Sequence, residues 1–140
     1  MNETAIIKKQ LQTYFKHRSY IEAAYLYGSF AKGHARIKGD KDTQSDVDVG
    51  LLLKHDTPLL FTKRLKITRD LQKMLKREID LVFLNDTSPV LCKQVLEFGI
   101  LAYCRNKRSL SNFFCRTITG YSDLRLSRKE IEEKILNEAA

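Results

Sequence analysis

Two short apolar runs, Val47 to Leu53 and Ile79 to Leu84, stand on either side of a segment in which Phe61, Leu65, Leu71, Met74 and Leu75 recur at helical spacing. The runs have the length of strands, and the segment between them reads as a helix that starts at Pro58, carries those five residues as its buried stripe and ends near Arg77. The alternation continues in both directions. Ile7, Leu11, Tyr14 and Phe15 predict a first helix over residues 3–17, with Asn2 or Thr4 as its cap. Ala23 to Tyr27 predicts a strand that stops at a tight turn, Gly28-Ser29, from which a short helix can begin.

Beyond the third strand, Asn85-Asp86-Thr87-Ser88-Pro89 signals a turn and the start of a short helix that stops at Gly99. Ile100 to Tyr103 supplies a fourth strand, and from Ser109 onward the apolar residues suggest two helical pieces, broken at Gly120 or Ser127. At 140 residues the chain has the size of one domain with a real core. The expectation is a single domain over residues 1–140 with a helical C-terminal segment from about residue 109. Its fold class is α/β (α+β), a small mixed sheet covered by helices, drawn on one side of the sheet.

A formal charge of +8 suits a protein that meets polyanions, whether triphosphates, nucleic acid or an acidic partner. Much of the excess lies on Lys63, Arg64, Lys66, Arg69, Lys73, Lys76 and Arg77, whose helical spacing reads as a solvated helix face, with a docking surface as the alternative. Cys92, Cys104 and Cys115 are too widely spaced for a zinc motif and odd in number, so they read as reduced, mostly buried thiols. His17, His34 and His55 are scattered, and most of the six tyrosines read as core. The N-terminus lacks the charged-then-apolar pattern of a secretory signal, and no apolar stretch is long enough to span a membrane, which predicts a cytoplasmic protein.

The chemistry concentrates in Tyr27-Gly28-Ser29-Phe30-Ala31-Lys32-Gly33 and, after a charged surface loop over residues 33–45, in Ser45-Asp46-Val47-Asp48-Val49-Gly50. Side chains alternate along a strand, so Asp46 and Asp48 share one face while Val47 and Val49 enter the opposite layer. Adjacent carboxylates raise each other's pKa unless a cation neutralises them, and Mg²⁺ takes oxygen ligands while leaving room for substrate phosphates. Asp80, entering the apolar run Ile79 to Leu84, completes a two-metal site if its strand lies beside that of Asp48. Alternating acids on an edge strand are common without any function. The Gly28-Ser29 turn changes that weighting, because glycine lets backbone approach a phosphate and amides at a helix start attract anions.

In this combination the chain resembles the minimal nucleotidyltransferases (MNT) of the polymerase-beta-like superfamily, whose signature is Gly-Ser, a spacer, then Asp-x-Asp. Gly28-Ser29 and Asp46-Val47-Asp48 match it, Asp80 stands where the family has its third acid, and the likeness continues to Tyr121-Ser122-Asp123-Leu124-Arg125. Two departures stand out. The spacer from Phe30 to Ser45 is longer than the family's usual one, as if residues 38–43 were inserted, and Lys32 stands where relatives often have arginine.

The resemblance implies a polymerase-beta-like fold in which Asp46, Asp48 and Asp80 are catalytic residues that bind two Mg²⁺ ions, with ATP as substrate. It also implies that Gly28, Ser29 and Lys32 bind the nucleotide. Stand-alone domains of this kind look like the MntA-type antitoxins of HEPN/MNT toxin–antitoxin systems. That likeness implies a protein adenylyltransferase that transfers AMP from ATP to a tyrosine hydroxyl of a HEPN ribonuclease toxin. This chain lacks the toxin's own arginine-then-histidine motif. The alternatives are a non-catalytic antitoxin acting by binding, a small-molecule transferase of the aminoglycoside-modifying kind, and a nucleic-acid-binding module, which only the charge supports. A homo-oligomer is left open.

Overall fold

The computed structural model describes residues 2–28, 46–118 and 126–138. Its elements follow in the order α1 (Glu3–Lys16), β1 (Ile21–Tyr27), β2 (Val47–Leu53), α2 (Phe61–Leu75), β3 (Ile79–Phe83), α3 (Pro89–Phe98), β4 (Ile100–Cys104), α4 (Lys107–Ile118) and α5 (Arg128–Glu138). The four strands form one mixed sheet in the order β3-β2-β1-β4. β1 runs antiparallel to both β2 and β4, whereas β2 and β3 are parallel. This parallel pair is joined through α2, because two parallel strands need a long crossover and a helix that covers the sheet supplies it.

Local sequence sets most element ends. Asn2 caps α1 by accepting the Ala5 N–H at 2.8 Å, and Ser88 caps α3 by accepting that of Leu91 at 3.1 Å, with Pro89 at the first helical position. Each such cap is worth about 1 kcal/mol. Ser127 accepts the Glu130 N–H at 3.1 Å and so starts α5. The alternative break at Gly120 lies outside the described residues, as do the surface loop over residues 33–45 and the short helix expected from Ser29.

The expectation of helices on one side of the sheet is corrected: helices cover both. Ile7, Leu11 and Phe15 of α1 and Ile67 and Leu71 of α2 pack with Ile21, Ala24, Leu26, Val47, Val49, Leu51 and Leu81. On the opposite face Ala23, Tyr25 and Leu52 meet Val95 and Leu96 of α3, Leu110 and Phe114 of α4, and Ile131 and Ile135 of α5. β1 and β2 are central strands, so both of their faces must be apolar and they read as nearly continuous hydrophobic runs.

α2 starts at Phe61 and not at Pro58, and its N-cap Leu60 makes no side-chain capping bond. Phe61 is 69% exposed, so the buried stripe rests on Ile67 and Leu71, with Leu65, Met74 and Leu75 half-buried. The basic face of α2 is also less uniformly solvated than its spacing suggests. Arg77 is buried and pairs with Glu3, and Arg64 donates its Nε to the Leu81 carbonyl at 3.1 Å. Cys92 and Cys115 are buried and Cys104 half-buried, all as free thiols. No helix among the described residues is long and apolar enough to cross a membrane.

Candidate active site

The carboxylates meet at one end of the sheet, where β1 finishes and β2 and β3 begin. β2 is an interior strand, so Asp48 does not stand on an open edge, where alternating acids need no explanation. The parallel register sets Asp48 directly beside Asp80, and the antiparallel register sets it beside Tyr27. Because neighbouring residues in register project to the same face, the Asp48 and Asp80 carboxyls converge and are hydrogen-bonded to each other. Asp46 precedes β2 and is exposed, at a strand entry held by the Val47 N–H donating to the Glu78 carbonyl at 2.9 Å.

Burial, the charge of Asp80, the hydrogen bond to Asp80 and the charge of Asp46 together push the Asp48 carboxyl up to about 6. Two acids this close oppose each other's ionisation, so Asp48 keeps its proton to higher pH than an ordinary carboxylate does, and a bound cation would favour its release. Its donor set, oxygen only, matches what Mg²⁺ takes. The three aspartates do not form a closed cage: no group of three or more His, Cys, Asp or Glu side chains among the described residues is gathered tightly enough to hold a metal ion by itself. Asp48 and Asp80 form the core of the site, and Asp46 acts on it through its charge from the strand entry.

Gly28 ends β1 with φ +69°, a left-handed conformation that favours glycine. A Cβ at this position would overlap the Asp48 carboxylate. The turn and the acid are therefore fitted to one another, the Asp48 carboxylate taking the space that the absent side chain leaves. Ser29 and Lys32, the other two expected nucleotide ligands, lie outside the described residues, as does the Tyr121 to Arg125 motif.

The sequence places Tyr27 at the head of the Gly28-Ser29 segment but assigns its side chain no role in the site. Tyr27 is half-buried beside the acids, and burial first, then Asp80 and Asp48, push its hydroxyl up to about 12, with Arg64 acting in the opposite direction. Its position as the last β1 residue before Gly28 was the available signal, since an antiparallel neighbour of Asp48 has to come from that strand end.

The described fold and the paired acids define a nucleotidyltransferase core. The family described as Polymerase beta, Nucleotidyltransferase matches residues 9–108, which span all four strands and the three aspartates, and the chain belongs to that family. It is similar to the protein adenylyltransferase MntA of Shewanella oneidensis, with 29% identity over 140 residues that cover 100% of this chain and 91% of that protein. Among solved structures, its fold is similar to that of a toxin–antitoxin with AMP-PNP (24% identity, TM-score 0.68, covering 92% of this chain and 98% of that one). It is similar as well to a chain of the tri-AMPylated Shewanella oneidensis HEPN toxin in complex with MNT antitoxin (22% identity, TM-score 0.65, covering 95% and 98%).

Proposed function

We propose that this chain is a Mg²⁺-dependent adenylyltransferase antitoxin that moves AMP from ATP to a tyrosine hydroxyl of a HEPN ribonuclease toxin. The observation that carries the reading is the Asp48–Asp80 pair, set in register on adjacent strands and fitted against the Gly28 backbone. The similarity to protein adenylyltransferase MntA along the whole chain supports AMP as the transferred group and a protein as the acceptor. Solved antitoxins of like fold in complex with a HEPN toxin and with AMP-PNP support the partner and the nucleotide.

Asp46, Asp48 and Asp80 would hold two Mg²⁺ ions, which when bound neutralise the triphosphate and make the acceptor hydroxyl more acidic. Asp80 accepts the proton of the tyrosine hydroxyl. The tyrosine oxygen forms a bond to the α-phosphorus, the bond from that phosphorus to the β-phosphate bridge breaks, and pyrophosphate leaves. The Gly28 backbone, Ser29 and Lys32 hold the β- and γ-phosphates. Residues 1–140 work as one domain, with α4 and α5 as its helical C-terminal part, and the need for ATP puts the working site in the cytoplasm.

The test incubates the purified chain with Mg²⁺, ATP labelled at the α-phosphate and the HEPN protein encoded beside it. Label on the toxin that is absent with Asp48→Asn supports the proposal. A stable complex without label points to an antitoxin that acts by binding alone. Label on an added aminoglycoside but not on the toxin points to a small-molecule transferase.

A further inference from the structure

At the end of the sheet away from Asp48, β1 and β2 are out of step. Ile21 pairs with Leu53 and Ala23 with Leu52, so Glu22 is an extra residue, a β-bulge. A bulge re-aims a side chain and commonly marks a functional edge. Glu22 is only 8% exposed, its Oε2 is buried without a hydrogen-bond partner among the described residues, and the residue lines a cleft of about 790 Å³ between the β2 end and α4. Leaving a buried carboxylate oxygen unsatisfied is costly, and proteins rarely do so without a partner to supply. The residue lines the cleft, and the last torsion of a glutamate is broad and roughly two-fold, so its two oxygens can exchange places between the interior and the cleft.

The rest of the cleft defines what would satisfy it. Lys54, His55 and Arg116 line the same cleft and are exposed, which makes a basic rim above an acidic floor. The half-buried Phe113 ring and Asn112 line the wall on the α4 side. The cleft volume is within the range of small-molecule sites. A ligand that meets all of these features has two parallel N–H donors at its inner end, a flat ring in its middle and an anion at its outer end.

We propose that this cleft is a second nucleotide site, selective for guanine. The guanine N1–H and 2-amino group donate to the two oxygens of Glu22, the base lies against Phe113, and the phosphate meets Lys54, His55 and Arg116. Adenine is rejected, because its N1 is an acceptor and would face a carboxylate that can only accept. Glu22 lies five residues before Tyr27 on β1, about 17 Å away at ~3.3 Å per residue, so the cleft is separate from the Asp48–Asp80 pair.

The experiment titrates the full chain calorimetrically with GMP, inosine monophosphate and AMP in EDTA. The expected order is GMP tightest, inosine monophosphate weaker for lack of the 2-amino group, and AMP at least tenfold weaker than GMP. Glu22→Gln should weaken GMP at least tenfold and Arg116→Glu should weaken both GMP and inosine monophosphate, while Asp48→Asn leaves GMP binding unchanged. Both cleft variants should keep the wild-type rate of AMP transfer, and thermal unfolding shows whether Glu22→Gln is folded. GMP and AMP binding alike, absence of GMP binding, or unchanged GMP affinity in folded Glu22→Gln or in Arg116→Glu would each overturn the assignment.

Discussion

The Asp48 carboxylate occupies the space that a side chain on Gly28 would need. Glycine is required there twice over, by the left-handed φ of +69° and by the acid packed against it. Substitution by alanine must either move the turn or displace Asp48 from its place beside Asp80.

Gly28→Ala should therefore lower AMP transfer by at least 100-fold and weaken Mg²⁺-dependent ATP binding, while the chain still folds. The loss of stability should stay within about 1–3 kcal/mol, because the strain sits at a strand end and not in either core. Transfer rates combined with a denaturant titration separate these effects, and wild-type turnover by folded Gly28→Ala would contradict the fitted arrangement.

The raised pKa of Asp48 makes the metal-free fold depend on pH with a defined sign. Its folded value, about 6, lies above the ordinary carboxylate value, so the folded state binds the proton more tightly than the unfolded chain does. This contribution stabilises the fold at low pH and is lost as pH rises through about 6. In EDTA the melting temperature should fall between pH 4.5 and 7 in wild type, and Asp48→Asn should melt higher than wild type at pH 7.5 with that fall largely removed. Mg²⁺ added at pH 6 should release protons into weak buffer, since a cation replaces the proton held by the pair.

Asn85 closes the end of β2. Its Nδ2 donates to the Leu53 carbonyl and its Oδ1 accepts the Leu53 N–H, both at 2.9 Å, which mimics one more step of strand pairing. Asn85→Ala removes both partners from backbone groups on a buried residue, with an expected cost of about 2–3 kcal/mol. Chemical denaturation should show this as a lower midpoint at unchanged slope.

Lys76, the C-cap of α2, adopts φ 56°, the one left-handed non-glycine residue among those described. Lys76→Gly should relieve that conformation and raise stability by about 0.5–1 kcal/mol, without altering transfer, because the cap bond to the Gln72 carbonyl at 2.8 Å uses only backbone. A thermal melt measures the gain.

Local signals were legible wherever a residue determines its own neighbourhood. Asn2, Ser88-Pro89 and Gly99 mark helix ends by capping chemistry that acts over three or four residues, and β2 was bounded at Val47–Leu53 from its apolar run. Phe61 was misread for a related reason: it has the spacing of the α2 stripe, but the helix starts at that residue, and its first turn faces solvent. The Asp-x-Asp pattern and the Gly28-Ser29 turn were visible as motifs, because strand alternation and the glycine conformation are properties of short segments.

The amino-acid sequence by itself determined the order of elements, most of their ends and the motifs, Gly28-Ser29 and Asp46-Val47-Asp48, from which the site was expected. Only the tertiary structure decided that β3 lies parallel to β2 with Asp80 level with Asp48, that helices cover both faces of the sheet, and that Tyr27 stands beside the acids. It also decided that a bulge falls at Glu22, a residue that lines a cleft at the other end of β1. The reason is the range of the forces involved. Capping and periodicity act along a few residues of chain. Strand register and the convergence of Asp48 with Asp80, 32 positions apart, depend on how two distant segments bury their apolar faces together.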